Sequence, residues 1–455
     1  VAAAGVPVAG ISPRTNSLDS CYAGGVKSGA SELQTDVLVI GAGPAGCAAA
    51  AIVHRAGLTV RVVERARFPR FVIGESLLPR CMDVLEEAGL LEAVKARGYQ
   101  VKRGALFVRG AERCSFDFQE QHTPGWSWTW QVPRADFDRT LATAVEAMGV
   151  PIEWGVKVTS AELPDGPLLR RLTVEDEQGV VRVLAARHVI DASGYGRVLP
   201  RLLGLDRPSG LPPRMALFTH VEGDRRPVGP DQERIWICIH PDGVGPAGGD
   251  PTDANGAWLW IIPFSDGRTS VGAVSSPRFF ERYPGDAEAK LRAILASEPG
   301  SRERLGEARF LFGPDTLGGY SIAVDRLWGP GYCLVGNATE FLDPVFSSGV
   351  TLALESASRA ARLVVREVRG EAVDWDREFS APMMRGIDVF RTFVTRWYDG
   401  TLPRLFFSSH QDARIRAQIC SVLAGYVWDD TNPMVRDHAR RVPFLAAHAG
   451  GPAPS

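Results

Sequence analysis

The sequence predicts an α/β fold in which a parallel sheet is interrupted by a second, α+β-type sheet and followed by a helical C-terminal region. Three observations carry this. Residues 35–64 run strand, helix, strand, the order of a βαβ unit. Strand-like runs return far along the chain, between residues 126 and 274, so the chain leaves its first sheet for another and re-enters it. From about Glu371 the pattern is mainly helical, with Trp397, Tyr398, Phe406, Phe407 and Trp428 as apolar anchors.

Each element follows from its residues. Residues 1–33 are rich in Ala, Gly, Val and Ser and show no period, which predicts a flexible tail; Gly5, Pro7, Gly10 and Pro13 break the apolar core that a signal peptide needs. TDVLVIG (35–41) is a β-branched run that stops at glycine, as a buried parallel strand does. The alanines from Ala45 to Ala51 favour helix, and LTVRVVE (58–64) is the next strand. Farther on, WSWTWQV (126–132), VVRVLAARHVIDASG (180–194), RIWICIH (234–240), WLWIIPF (258–264) and TSVGAV (269–274) read as strands, and 135–148, 287–295 and 350–368 as helices. The pattern assigns 34–108, 131–210 and 320–370 to a discontinuous first domain, 109–130 and 211–319 to the second sheet, and 371–455 to the helical region.

Composition excludes several classes of function. The 455 residues are 45% hydrophobic and 23% charged, ordinary for a folded globular chain. Lys plus Arg (51) nearly balance Asp plus Glu (53), so no strong field draws nucleic acid or an anionic membrane, and a small ligand is expected. No apolar stretch reaches the roughly 20 residues of a membrane-spanning helix. The seven cysteines are scattered without C-x-x-C spacing, which fits reduced thiols in a cytoplasmic protein. Eight histidines without H-x-x-x-H or H-x-E spacing suggest no metal site.

Gly41-Ala42-Gly43-Pro44-Ala45-Gly46 falls between the first strand and the first helix. The first glycine permits the turn, the second lets backbone approach a pyrophosphate, and the third lets helix and strand pack, with the helix N-terminus toward the anion. Glu64 ends the second strand 23 residues after Gly41, where a carboxylate accepts hydrogen bonds from a ribose 2′-OH. This is a Rossmann-like dinucleotide site, and the motif alone does not distinguish FAD from NAD.

Phe71-Val-Ile-Gly-Glu-Ser-Leu-Leu-Pro79, Val189-Ile-Asp-Ala-Ser-Gly194 and the run from Val335 to Gly349 come in the order of FAD enzymes related to aromatic hydroxylases. With Trp258-Leu-Trp260-Ile-Ile262-Pro263, a W-x-W-x-I-P pattern, the chain resembles the flavin-dependent halogenases. It is closer to the group acting on phenols, pyrroles and related aromatics than to the tryptophan halogenases, over residues 35–366. The resemblance implies an FAD-binding domain of the aromatic-hydroxylase type with an inserted antiparallel-sheet substrate domain. Gly41, Ala42, Gly43, Pro44, Ala45 and Gly46 would line the pyrophosphate, Glu64 and Arg65 the adenosine ribose, and Ser76 the flavin end. Arg134 is similar to the family's FAD-contacting arginine, and Asp191 and Gly194 mark the second fingerprint strand. Gly336 and Asn337 stand where the family has Gly-Asp at the ribityl chain; Asn337 gives up a charge-assisted bond, which implies weak FAD retention. Gly349 and Val350 complete the flavin contacts.

For chemistry, the resemblance implies that Trp258, Trp260, Ile262 and Pro263 wall the reduced flavin, FADH2, off from organic substrate, so that only halide reaches it. As a pattern alone, two tryptophans at i and i+2 also fit an ordinary aromatic core stripe. Lys102, with Lys95 and Arg103 as competitors for the alignment, is similar to the lysine that passes the halogen to the ring. Bromide or chloride would sit at Ser347, Ser348 and Gly349, where turn N–H groups lead into a helix, unless these serines are only a helix cap. Phe346 takes the place of the tryptophan halogenases' glutamate, which favours an electron-rich indole, phenol or pyrrole. Trp126 and Trp128 are second-rank substrate candidates. Without a second glycine fingerprint, electrons are expected from a separate flavin reductase, and the substrate is either free or tethered to a carrier protein. The alternatives on this fold are an aromatic monooxygenase and a non-catalytic FAD-fold partner in a biosynthetic assembly.

Overall fold

The strand Leu33–Ile40 lies between two parallel neighbours, Val181–Asp191 and Val60–Glu64. Its apolar half, Val37 to Ile40, is buried, which explains why that half reads as a continuous hydrophobic run. At its end Gly41 turns with φ +101°, and a Cβ there would stand 2.6 Å from the Ala192 carbonyl oxygen, so only glycine fits. The helix Pro44–Arg55 follows, with proline in its first turn where the missing N–H costs nothing. Its small residues are buried from Pro44 to Val53 because it packs against both the strand and the long helix Ser348–Val368.

A computed structural model describes residues 33–242, 256–409 and 412–449. The tail expected over residues 1–33 lies outside them except for Leu33. The first sheet runs, in order, Trp328–Gly329, Tyr332–Leu334, Val181–Asp191, Leu33–Ile40, Val60–Glu64 and Ile152–Trp154, with an antiparallel pair, Lys157–Glu162 and Arg170–Glu175, attached to Val181–Asp191. The second sheet runs Arg309–Phe310, Met215–Glu222, Thr269–Ser275, Trp258–Pro263, Arg234–Ile239, Gly104–Arg109 and Glu112–Asp117. Its pairings are antiparallel except between Arg234–Ile239 and Gly104–Arg109. The mixed α/β architecture with a second sheet and helical C-terminal region is thus the observed one.

Two sequence expectations differ in detail. Residues 104–108, assigned to the first domain, are in the second sheet, because Gly104–Arg109 and Glu112–Asp117 form one hairpin through Gly110 at φ +59° and a hairpin cannot be split between sheets. The tryptophan run 126–132 is strand only at Thr129–Gln131, because its partner Gln100–Lys102 offers just three residues. Trp126 and Trp128 precede that strand and stack edge to face, 5.7 Å between centroids.

The C-terminal helices Ala381–Tyr398 and Thr401–Phe406 cover one face of the second sheet. Phe406 and Trp397 meet Phe107 at 4.8 and 5.5 Å between ring centroids. Among the described residues no helix is long and apolar enough to cross a membrane and no group of His, Cys, Asp and Glu could hold a metal ion.

Candidate active site

A cleft of about 770 Å³ opens where the first sheet's parallel strands end, and Gly41, Gly43, Glu64, Arg134, Gly194 and Asn337 are among its lining residues. Pro44, Ala45, Arg65, Gly336 and Gly349 line it as well. Gly46 faces the turn behind: a Cβ there would lie 1.8 Å from the Gly41 carbonyl oxygen. Glu64 is buried at the cleft's edge, its Oε2 accepting from the Ala42 N–H at 2.8 Å and its Oε1 from the Ala66 N–H at 2.9 Å. The carboxylate is thereby aimed while keeping lone pairs for a hydroxyl partner.

Arg134 is braced rather than swinging. Its Nε and Nη2 donate to the Asp138 carboxylate at 2.8 and 3.0 Å, and Nη1 donates to the Ile73 carbonyl at 2.8 Å. Ser76 Oγ is buried with no hydrogen-bond partner among the described residues, and Ser76 is not among the residues that line the cleft. The glycine cradle and the aimed carboxylate fit an FAD in this cleft. Asp191 stands behind the cleft, where its carboxylate accepts from the N–H groups of Ser193 and Leu199 at 2.9 and 2.6 Å, so its contribution is to hold the turn that presents Gly194. Val350 is buried under Gly74, whose Cβ would lie 3.8 Å from it. Asn337 lines the cleft, its carbonyl accepting from Arg197 Nη1 at 3.0 Å.

Ser347 takes the left-handed conformation, φ 55°, directly before the helix Ser348–Val368, and its side chain makes no capping hydrogen bond. The first-turn N–H groups of that helix are therefore not satisfied by this serine, and Phe341 packs closely on Gly349, where a Cβ would meet its ring at 2.9 Å. Phe346 packs edge-on against Phe393 and Trp397, 5.9 Å from each.

Trp258 and Trp260 share one face of their strand, 6.0 Å apart, and both are buried. Trp260 Nε1 donates to Ser270 Oγ at 3.0 Å, and its ring fills the space left by Gly272 and leans on Phe218, a cleft-lining residue, at 6.1 Å. Trp258 Nε1 donates to the Tyr398 hydroxyl at 2.9 Å. Ile262 is buried beside them, and Pro263, paired with Thr269, is the strand's last residue.

Lys102 is 1% exposed. Its Nζ donates to the Leu77 carbonyl at 2.8 Å and lies 5.6 Å over the Phe118 ring. Burial pushes its pKa down to about 7, against a small opposing effect of Cys81. Lys95 and Arg103 are surface residues paired with Glu92 and Glu233, so of the three cations only Lys102 is buried. Leu77 follows Ser76 in the chain, and Lys102, like Trp258 and Trp260, is not among the residues that line the cleft. Trp126 and Trp128 are only half-buried and outside the cleft lining; Lys95 Nζ lies 5.9 Å over Trp126 and the Tyr426 hydroxyl donates to the Trp126 carbonyl.

Several residues at or near the cleft were not singled out from sequence. Phe71 stacks on Phe218, 5.7 Å apart at 10°, at the wall shared with a neighbouring cavity of about 430 Å³. Glu75 and His220 form a buried pair, Oε1 to Nε2 2.7 Å. Both Phe71 and Glu75 lie inside the quoted segment 71–79, the one local signal available; their partners are over 140 residues away.

The FAD binding domain family matches residues 34–291, and the tryptophan halogenase family matches residues 232–424. The 1H-pyrrole-2-carbonyl-(peptidyl-carrier protein) chlorinase of Pseudomonas fluorescens is 26% identical over 432 residues, 90% of this chain and 92% of that one. The flavin-dependent halogenase armH3 of Armillaria mellea is 30% identical over 362 residues, 75% of this chain and 69% of that one. Among solved structures, a flavoprotein/dehydrogenase from Cytophaga hutchinsonii is similar with a TM-score of 0.86 at 50% identity, covering 91% of this chain and 98% of that one.

Proposed function

The chain belongs to the flavin-dependent halogenases, and from that membership we propose that it uses FADH2, O2 and bromide or chloride to halogenate an electron-rich indole, phenol or pyrrole. The observation that carries this reading is Lys102, a lysine held at 1% exposure with its pKa brought to about 7. Bound FADH2 supplies, with O2 and halide, an electrophilic halogen in the form of hypohalous acid. The glycine cradle, Glu64 and Arg134 orient the cofactor. Trp258 and Trp260, each with its indole N–H satisfied, form a stiff wall that keeps the organic substrate away from it. Near neutral pH a large fraction of Lys102 is the free amine, whose lone pair either hydrogen-bonds the acid's O–H or accepts the halogen as a haloamine. The halogen then passes to a ring carbon: haloamine formation releases water and transfer returns the ring proton to the Lys102 nitrogen, whereas direct transfer from the acid leaves hydroxide, which takes the ring proton as water. Ser347, Ser348 and Gly349 hold the halide through the N–H groups of the turn and helix start. Phe346 offers no carboxylate, so the substrate is one whose ring is already activated. Electrons come from a separate flavin reductase.

Mass spectrometry of indoles, phenols and pyrroles incubated with enzyme, FAD, NADH, a flavin reductase, O2 and each halide tests this. Free aromatics run beside pyrrolyl thioesters of a carrier protein, the substrate form named for the Pseudomonas relative. A halogen isotope pattern that disappears in Lys102→Ala is the expected result. Halide-independent addition of oxygen would replace the reading with a monooxygenase.

A further inference from the structure

A second polar cluster lies outside the cleft, where the helix Ala381–Tyr398 meets the second sheet. Asp343 is 2% exposed, and its Oδ1 accepts from the Val345 N–H at 3.0 Å. Its Oδ2 accepts from the Tyr398 hydroxyl at 2.8 Å and from the Tyr320 hydroxyl at 3.4 Å. The Tyr398 oxygen in turn accepts from Trp258 Nε1, so the cluster is continuous with the tryptophan wall. Above it lies Arg214, 5% exposed, its guanidinium 3.4 Å from the centroid of the Tyr398 ring.

Arg214 is the anomaly. Its Nη1 is buried with no hydrogen-bond partner, and it forms no ion pair among the described residues. Other buried arginines have side-chain hydrogen bonds: Arg134 and Arg304 sit on the Asp138 and Asp224 carboxylates and Arg170 donates to backbone carbonyls, although Arg304 Nη1 is also without a partner. Asp343 does not take that role, because its oxygens are engaged by Val345, Tyr398 and Tyr320. A buried guanidinium with an unused N–H is costly unless an anion completes it. The surroundings are closely packed: a Cβ on Gly256 would lie 2.3 Å from the Tyr398 ring and 3.5 Å from Arg214 Nη1.

We propose that Arg214, seated on Tyr398 and backed by Tyr320 and Asp343, is a halide-binding site distinct from the Ser347–Gly349 turn, holding bromide or chloride next to the tryptophan wall. The choice of halide over a larger anion rests on the reading of this chain as a halogenase and on the enclosure of Arg214, Tyr320, Asp343 and Tyr398, none more than 6% exposed. Halide uptake is coupled to a proton. The charged and titratable groups facing Asp343 are Arg214, Tyr320 and Tyr398; burial raises its carboxyl to about 6 while Arg214 opposes the rise. An anion on Arg214 cancels that opposition, so Asp343 binds a proton as halide enters and the site is tighter below pH 6 than above pH 7.

Anomalous diffraction from crystals of the full chain soaked in bromide, paired with chloride-35 NMR line broadening in solution, tests the site without turnover. A bromide peak within contact of Arg214 Nη1 is expected. Chloride affinity should fall at least tenfold in Arg214→Gln, with Arg214→Lys retaining part of it if the glutamine variant folds poorly. Asp343→Asn should remove the pH dependence. Wild-type crystals with no bromide at Arg214 at saturating concentration overturn the proposal, as does benzoate occupying Arg214 in place of bromide. Product analysis keeps the two readings separate: halogenation with an empty Arg214 site sinks only this proposal, and bromide at Arg214 in an enzyme that halogenates nothing sinks only the proposed function.

Discussion

Replacing Lys102 by methionine separates a lysine kept for chemistry from one that is merely tolerated. In the unfolded chain its amine titrates at the ordinary 10.5, and in the folded chain at about 7. Between those values the unfolded state binds more protons, so stability rises with pH from 7 to 10.5; the cost is full below 7 and gone above 10.5. At 1.36 kcal/mol per pH unit the full cost is roughly 5 kcal/mol. Methionine has similar length and no charge, so it removes this cost but leaves the Leu77 carbonyl without its donor, a loss of about 1–3 kcal/mol. The net expectation is that Lys102→Met is more stable than wild type by about 2–4 kcal/mol at pH 7, and that the gain shrinks toward pH 10. Urea denaturation of both proteins at pH 6, 8 and 10 measures it. The same variant should lose halogenation while still consuming reduced flavin. A variant that is less stable at every pH, or whose gain does not depend on pH, would show that the amine is not held neutral and would remove the basis for its role.

Asn337→Asp should restore a charge-assisted bond to the cofactor and tighten FAD binding about fivefold, read by flavin fluorescence titration; unchanged affinity would mean that Asn337 does not face the ribityl chain. Gly46→Ala drives a Cβ to 1.8 Å from the Gly41 carbonyl oxygen, a backbone atom that cannot swing aside, so loss of soluble protein or a destabilisation above about 4 kcal/mol is expected in thermal melts. Tyr398→Phe leaves Trp258 Nε1 without its acceptor and should cost about 1–3 kcal/mol by urea denaturation, whereas an unchanged midpoint would mean that the bond contributes nothing. Gly272→Ala places a Cβ 2.3 Å from the Trp260 ring and displaces that indole; reduced flavin should then be spent without product, and fully coupled turnover would argue that Trp260 is not part of the barrier.

What was legible in the sequence is what depends on neighbours in the chain. The glycine turn is fixed by Gly41 and Gly46 and by a strand and helix immediately on either side, and the shared face of Trp258 and Trp260 follows from the two-residue repeat of a strand. The same repeat misled at Trp126 and Trp128, because alternation says nothing about whether a partner strand is long enough to pair. The reach of the second sheet back to Gly104 was hidden for a related reason: its hairpin is local, but its parallel partner Arg234–Ile239 is some 130 residues away. The Arg214, Asp343 and Tyr398 cluster joins three segments that share no local pattern, and no single-residue propensity marks an arginine as buried. Lys102 was found by its position relative to known motifs; that it is enclosed is a property of Phe118, Leu77 and Cys81 gathered around it.

The two indoles of the tryptophan motif are held from different sides, and this bears on how the site can work. Trp260 is tied to the sheet, through Ser270 on the adjacent strand and the gap at Gly272. Trp258 is tied through Tyr398 to the C-terminal helix and through it to Asp343, which also anchors the turn leading to Ser347. A displacement of the helix Ala381–Tyr398 therefore reaches Trp258 and the turn together, while Trp260 stays with the sheet. If the two indoles form the proposed barrier, its Trp260 half belongs to the second sheet, and its Trp258 half is tied to the element that also packs Phe393 and Trp397 against Phe346. A substrate that reorders those aromatics can thus bias Trp258 and the Ser347–Gly349 turn without opening a path past Trp260, which is the separation of tasks that a halogenase needs if halide must pass where its substrate must not.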